Sequence, residues 1–126
     1  MVRPLLYARI LFELARYDVL FACRGMRGVR PRRRAEPPAV DAGDRTWETA
    51  VCEGLKSVAP FYWKPIRCLQ RSIVTSRLLR QHNIPAEVVI GYRAAPFFSH
   101  AWVEVAGRVV NDSRTYQLRL QVLDRL

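Results

Sequence analysis

The order of patterns along the chain predicts an α+β fold, with helix-spaced apolar residues first and short strands joined by turns after them. Three observations carry this reading. Leu6, Ile10, Leu14 and Tyr17 repeat at helical spacing; Ile66, Leu69, Ile73, Leu78 and Leu79 do so again behind Pro65; and "AEVVIGY" with "FFSHAWVEVAGRVVNDS" has strand composition broken by a glycine turn. The 126 residues are the size of one domain, and half of them are apolar, enough for a core of modest size.

The N-terminal stretch "MVRPLLYARILFELARYDVLFACRGM" is apolar enough to require a membrane check. Arg9, Glu13, Arg16 and Asp18 interrupt it, so no uncharged run approaches the ~20 residues that cross a bilayer. The charges recur on one helical stripe and the apolar residues on a second, which predicts an amphipathic helix over residues 4–24. In the first reading it packs on the domain; in the second it meets a membrane surface or a partner. The charges within the apolar region, with no small-residue cleavage pattern after it, argue against a signal peptide. In "GVRPRRRAEPPAVDAG", residues 28–43, proline lacks an amide donor and the arginines repel one another, so the segment reads as an exposed linker or mobile loop. The chain thus divides into residues 1–43, a helix and an Arg/Pro-rich loop, and residues 44–126, the core, within one globular domain.

Asp44 is placed to cap a helix through "RTWETAVCEGLKSVA", with Trp47, Val51, Leu55 and Val58 at helical spacing and Cys52 as a small buried side chain. Pro65 precedes the next helix, which ends near His82 and Asn83, and Cys68 is expected in its first turn. Unpaired amides and the helix dipole stabilise a thiolate there, and Arg67 adds a neighbouring positive charge. Residues 86–92 then read as a strand, followed by a loop with Pro96 and a hairpin. A three-residue hairpin loop of Val105, Ala106 and Gly107 would put the glycine at the left-handed position. It pairs Glu104 with Arg108, Trp102 with Val110, and His100 with Asp112. A two-residue turn would instead set Asp112 opposite Ala101, on the wrong face.

The net charge of +10, nearly all of it arginine, suits nucleic acid, anionic lipid or an acidic peptide. No aromatic residue interleaves with the arginines of residues 28–43, so the stacking platform of a single-strand nucleic-acid binder is absent. Three cysteines make an odd number without CxxC spacing, and there are two histidines. Neither a disulfide framework nor a structural zinc site fits, which points to a reducing, cytoplasmic setting.

Singly, a helix-start cysteine, a strand histidine and a strand-end aspartate are ordinary structural residues. Together, Cys68, His100 and Asp112 supply a nucleophile, a base and an orienting carboxylate. His82 cannot serve as the base, because it lies about 20 Å along the same helix at 1.5 Å per residue.

The segments "IRCLQRSIVTSRLLRQHNIPAEVVIGY", "PFFSHAWVEVAGRVVNDS" and "YQLRLQVLDRL" resemble the lasso-peptide leader peptidases. These are bacterial cysteine proteases of the transglutaminase-like superfamily. The resemblance covers roughly residues 45–126. It implies a transglutaminase-like, papain-like core, with the catalytic cysteine at a helix N-terminus packed on a small antiparallel sheet. By this resemblance Cys68 is the nucleophile, His100 the base and Asp112 its orienter, and no departure falls at these positions. It implies removal of the leader from a lasso precursor, a separate leader-recognition protein and an ATP-dependent cyclase as partners, and no metal or organic cofactor. With no room for a recognition domain before Asp44, the stand-alone form is expected. The Cys68 backbone amide is the natural first oxyanion donor, with Gln70 and Trp63 near it in sequence. The arginine loop from Arg30 to Arg34, Arg32, Arg33 and Arg34 among them, or else basic positions on the N-terminal helix, is expected to meet an acidic surface on the recognition protein, leader or cyclase, and exposed apolar helix positions such as Leu6 and Ile10 are expected to serve the same contact. Acyl transfer to an amine by the same three residues, or a non-catalytic basic binding module, are the alternatives.

Overall fold

The stripe of Leu6, Ile10, Leu14 and Tyr17 is buried along helix α1 (Pro4–Arg24), as its spacing predicts. Leu6 and Ile10 are therefore core residues and not the exposed contacts also expected of them, since the face that packs cannot also be presented. The computed structural model describes residues 4–29, 45–82, 84–112 and 114–126. Gly28 and Val29, read above as the start of a loop, belong to a short helix α2 (Met26–Val29). The rest of that loop, with Arg32, Arg33 and Arg34, lies outside the described residues, as do the Asp44 cap and the boundary between residues 43 and 44.

Helix α3 (Arg45–Val58) buries Val51, Leu55 and Val58 and continues into a 3-10 turn at Ala59–Phe61. Trp47 is half-buried; its indole N–H donates to the Leu78 carbonyl at 3.2 Å, and its ring lies 3.8 Å from that of His82. His82 is thus occupied at the far end of helix α4 (Cys68–Gln81). That helix starts at Cys68 because Arg67 is extended, with φ −83° and ψ 165°, and its carbonyl accepts the Arg71 N–H at 2.9 Å. Pro65 lies ahead of the helix and not in its first turn.

Buried residues lie all around α4, which packs against α1, α3 and the sheet. Two of its hydroxyls are satisfied within the helix: Thr75 Oγ1 donates to the Arg71 carbonyl at 2.7 Å and Ser76 Oγ to the Ile73 carbonyl at 3.1 Å. Fully burying a residue such as Leu78 stabilises the fold by about 1.5–3 kcal/mol.

The sheet has the order β3-β2-β1-β4, from β1 (Ala86–Ala94), β2 (Phe97–Val105), β3 (Arg108–Val109) and β4 (Gln121–Arg125), every neighbouring pair antiparallel. A turn with a cis Ala95–Pro96 bond joins β1 to β2. Alternation sends Val88, Ala101, Val103 and Val105 to the helices, and Val89, Trp102 and His100 to the other face. There Trp102 is fully buried beneath Leu120 and Tyr116, which helix α5 (Arg114–Arg119) and the residue after it bring over the strands. The indole lies across Gly91, where an added Cβ would stand 2.5 Å from Trp102 Cη2. A larger residue at position 91 and this tryptophan cannot share the space.

The hairpin departs from the expected register. Glu104 pairs with Val109 and Val105 with Arg108 across a two-residue turn of Ala106 and Gly107, both left-handed at φ 51° and 78°. Continued unbroken, this register would set Asp112 beside Ala101. The ladder ends instead: the Val110 N–H still bonds to the Val103 carbonyl at 3.0 Å, but the Val103 N–H is taken by Asn111 Oδ1 at 2.8 Å, and the chain bends away.

Candidate active site

The bend after β3 decides the geometry. Asn111 grips β2 through Val103 and also donates from Nδ2 to Ser72 Oγ of α4 at 3.2 Å, so the segment is pinned to strand and helix at once. The next residue, Asp112, is thereby carried past the open edge of β2. Its Oδ2 lies 2.6 Å from His100 Nε2 and accepts a second hydrogen bond from Arg71 Nη2 at 3.3 Å. The predicted His100–Asp112 pair is present, held by a braced bend instead of by ladder pairing.

The imidazole is fixed from the sides as well. The Tyr116 ring lies 3.9 Å from it at 27°, and Phe98 and Trp102 stand beyond at 6.2 and 6.5 Å. Both members of the pair are mostly covered, with side chains 13% and 17% exposed. With an ionised carboxylate on Nε2, that nitrogen carries the proton, and Nδ1 holds the free lone pair.

Cys68 stands at the first residue of α4, half-buried, where amides of the first turn have no helical partner. Arg71 follows one turn later and ties the same helix to Asp112. The structure brings His100 and Asp112 together, and among the described residues no contact joins either of them to the Cys68 thiol.

The surroundings of the helix start are polar and built from three segments. Asp18 of α1 accepts hydrogen bonds from Tyr62 and Lys64 of the approach to α4. Burial raises the Asp18 carboxyl, but Lys64 and Tyr62 outweigh it and leave it below the ordinary carboxylate range. Burial, then Asp18, then Cys68 push the Tyr17 phenol up. Gln70 is buried and donates from Nε2 to the Leu14 carbonyl at 3.2 Å, which engages its amide against α1. Trp63 is 76% exposed with the Lys64 ammonium over its ring, and Phe61, two residues earlier, is exposed as well.

A cleft of about 370 Å³ opens behind Asp112, between α3 and α4, lined by Cys52, Lys56, Arg71, Thr75 and Asn111. Burial pushes the Cys52 thiol up to about 11, and its S–H donates to the Val110 carbonyl, so this cysteine is held as a neutral thiol. Among the described residues no group of three or more His, Cys, Asp or Glu is placed to hold a metal ion. Sequence reading missed Arg71, Asn111 and Tyr116. Arg71 was legible as the residue one helical turn after Cys68, whereas Asn111 and Tyr116 gain their roles only from the bend and from α5.

A central helix beginning at a cysteine and packed on an antiparallel sheet with a His–Asp pair defines an α+β, papain-like core. Residues 11–125 match the sequence model of the transglutaminase-like superfamily, and the chain belongs to that superfamily. Among curated proteins it is similar to the microcin J25-processing protein McjB of Escherichia coli, at 46% identity over 56 residues, which is 44% of this chain and 27% of that protein. The matched region thus spans about a quarter of that relative's length. No solved structure matches the chain significantly.

Proposed function

We propose that this protein is a cysteine peptidase that removes the leader from a ribosomally made lasso-peptide precursor before macrocyclisation. The observation that carries this reading is the 2.6 Å His100–Asp112 contact, tied through Arg71 to the helix that starts at Cys68, in a transglutaminase-like chain. Similarity to a protein named for processing microcin J25 supports the substrate class.

The Cys68 thiol passes its proton to His100 Nδ1, while Asp112 holds Nε2–H and stabilises the imidazolium. The thiolate attacks the scissile carbonyl, and the Cys68 backbone N–H faces the oxyanion. The imidazolium returns its proton to the leaving amine, which departs as the new N-terminus of the core peptide. Water, deprotonated by the same imidazole, then cleaves the thioester and releases the leader as a free acid. The exposed Trp63 ring, close to Cys68 in sequence, is where an apolar leader residue rests. A separate leader-recognition protein and the ATP-dependent cyclase act with it in the cytoplasm, the first docking on Arg32, Arg33 and Arg34. Neutralising these three arginines weakens that complex in a salt-sensitive way; unchanged binding at low salt would refute it.

Mass spectrometry of a lasso precursor, incubated with its recognition protein and either wild-type or Cys68→Ala enzyme, tests the proposal. Cleavage at the leader–core junction by the wild type alone is expected; equal cleavage by both removes Cys68 as nucleophile. The superfamily also favours a second reading, acyl transfer to an amine, which the same spectra would reveal as a conjugate of the leader in place of its free acid.

A further inference from the structure

Helix α1 carries a second apolar stripe that the core does not use. Leu5, Ala8, Phe12, Ala15, Val19 and Ala22 repeat at alternating spacings of three and four, and all six are exposed, Leu5 at 86%, Phe12 at 64% and Val19 at 61%. This is the seam of a coiled coil over three heptads, with a bulky residue and an alanine in alternation. The buried stripe on the opposite side anchors the helix to the domain, so the seam is held rigidly outward. Arg9 and Arg16 follow Ala8 and Ala15 along one flank, and among the described residues neither guanidinium has an acidic partner. No helix among the described residues is long and apolar enough to cross a membrane.

We propose that this face docks an amphipathic helix of a partner protein, with bulky apolar residues over Ala8, Ala15 and Ala22 and carboxylates beside Arg9 and Arg16. The alanines let the two backbones approach closely, and the carboxylates fix register and orientation. A second copy of this chain fits less well. Paired antiparallel, with each bulky residue over an alanine, two copies set Arg9 against the other copy's Arg16; paired in parallel, they stack Phe12 on Phe12 and leave the alanine layers empty. The inference does not rest on the peptidase reading, since its test measures binding alone.

The probe is a labelled three-heptad peptide with Leu opposite the alanines, Ala opposite the bulky residues and Glu on the flanks, compared by fluorescence anisotropy with the same peptide carrying Lys. The Glu peptide is expected to bind the full chain in preference to the Lys peptide. Phe12→Glu weakens it at least about tenfold, and the Arg9→Glu/Arg16→Glu double variant reverses the preference. Circular dichroism confirms that each variant folds, and Val19→Glu replaces Phe12→Glu if that one does not. Absence of Glu-peptide binding, equal binding of the two peptides, or indifference to Phe12→Glu overturns the proposal. So do a wild-type dimer in sedimentation that Phe12→Glu dissolves, and capture by anionic phospholipid vesicles that Phe12→Glu abolishes.

Discussion

The two faces of the sheet are built on different physical terms. The helix-side face is aliphatic, with Val88, Val103 and Val105 fully buried against α1, α3 and α4, and its contribution scales with the apolar area removed from water. The opposite face holds one large indole, two buried or half-buried polar pairs and the imidazole. Trp102 Nε1 donates to Glu104 at 2.8 Å, Arg125 reaches Glu104 from β4, and His100 meets Asp112. The first face tolerates adjustment by repacking. The second depends on directed hydrogen bonds and on ring placement, so small displacements there cost orientation before they cost stability.

The largest effect expected from this contrast is catalytic. Asp112→Asn keeps the shape of the site but removes the charge that fixes the His100 tautomer. Turnover should fall about 10³-fold while the denaturation midpoint moves little. A large loss of stability would show that the pair holds the fold as well.

Next comes the aliphatic face, where Leu78→Ala should cost about 3 kcal/mol in denaturant unfolding, with turnover per folded molecule unchanged. Gly91→Ala sharpens the comparison because it loads the site face sterically. Its Cβ meets Trp102 and Leu120, so a cost of about 1–3 kcal/mol is expected together with reduced turnover, as the indole beside His100 shifts.

The smallest effect concerns Asp18, near the helix start. Its folded carboxyl holds a proton less tightly than the unfolded one, so its stabilisation is fully present above the ordinary carboxylate range and is lost as pH falls from that range through the lowered folded value. Asp18→Asn should therefore lower stability near neutral pH and flatten the acid limb of a stability-versus-pH curve, the two proteins converging as pH falls below the ordinary carboxylate range.

Several elements were legible because one local pattern governs them. The α1 stripe, the α3 stripe, the start of α4 near Cys68 and the strand from Ala86 follow from spacing that packing rewards directly. The hairpin was misread because Gly107 favours a three-residue loop, while the actual turn also demands a left-handed Ala106, which local preference disfavours. Strand β4 and helix α5 were missed. "QVLDR" is short and mostly exposed at a sheet edge, so it has little periodicity to read, and α5 is a single short helical segment.

By itself, then, the sequence determined helices α1, α3 and α4, the helix-start seat of Cys68 and the nomination of His100 and Asp112, because periodicity and residue chemistry are local properties. Only the tertiary structure decided how the last two meet. A ladder continued from β3 would have separated them to opposite faces. Their 2.6 Å contact depends on Asn111 and Arg71, whose partners lie on other segments and whose reach no local pattern encodes.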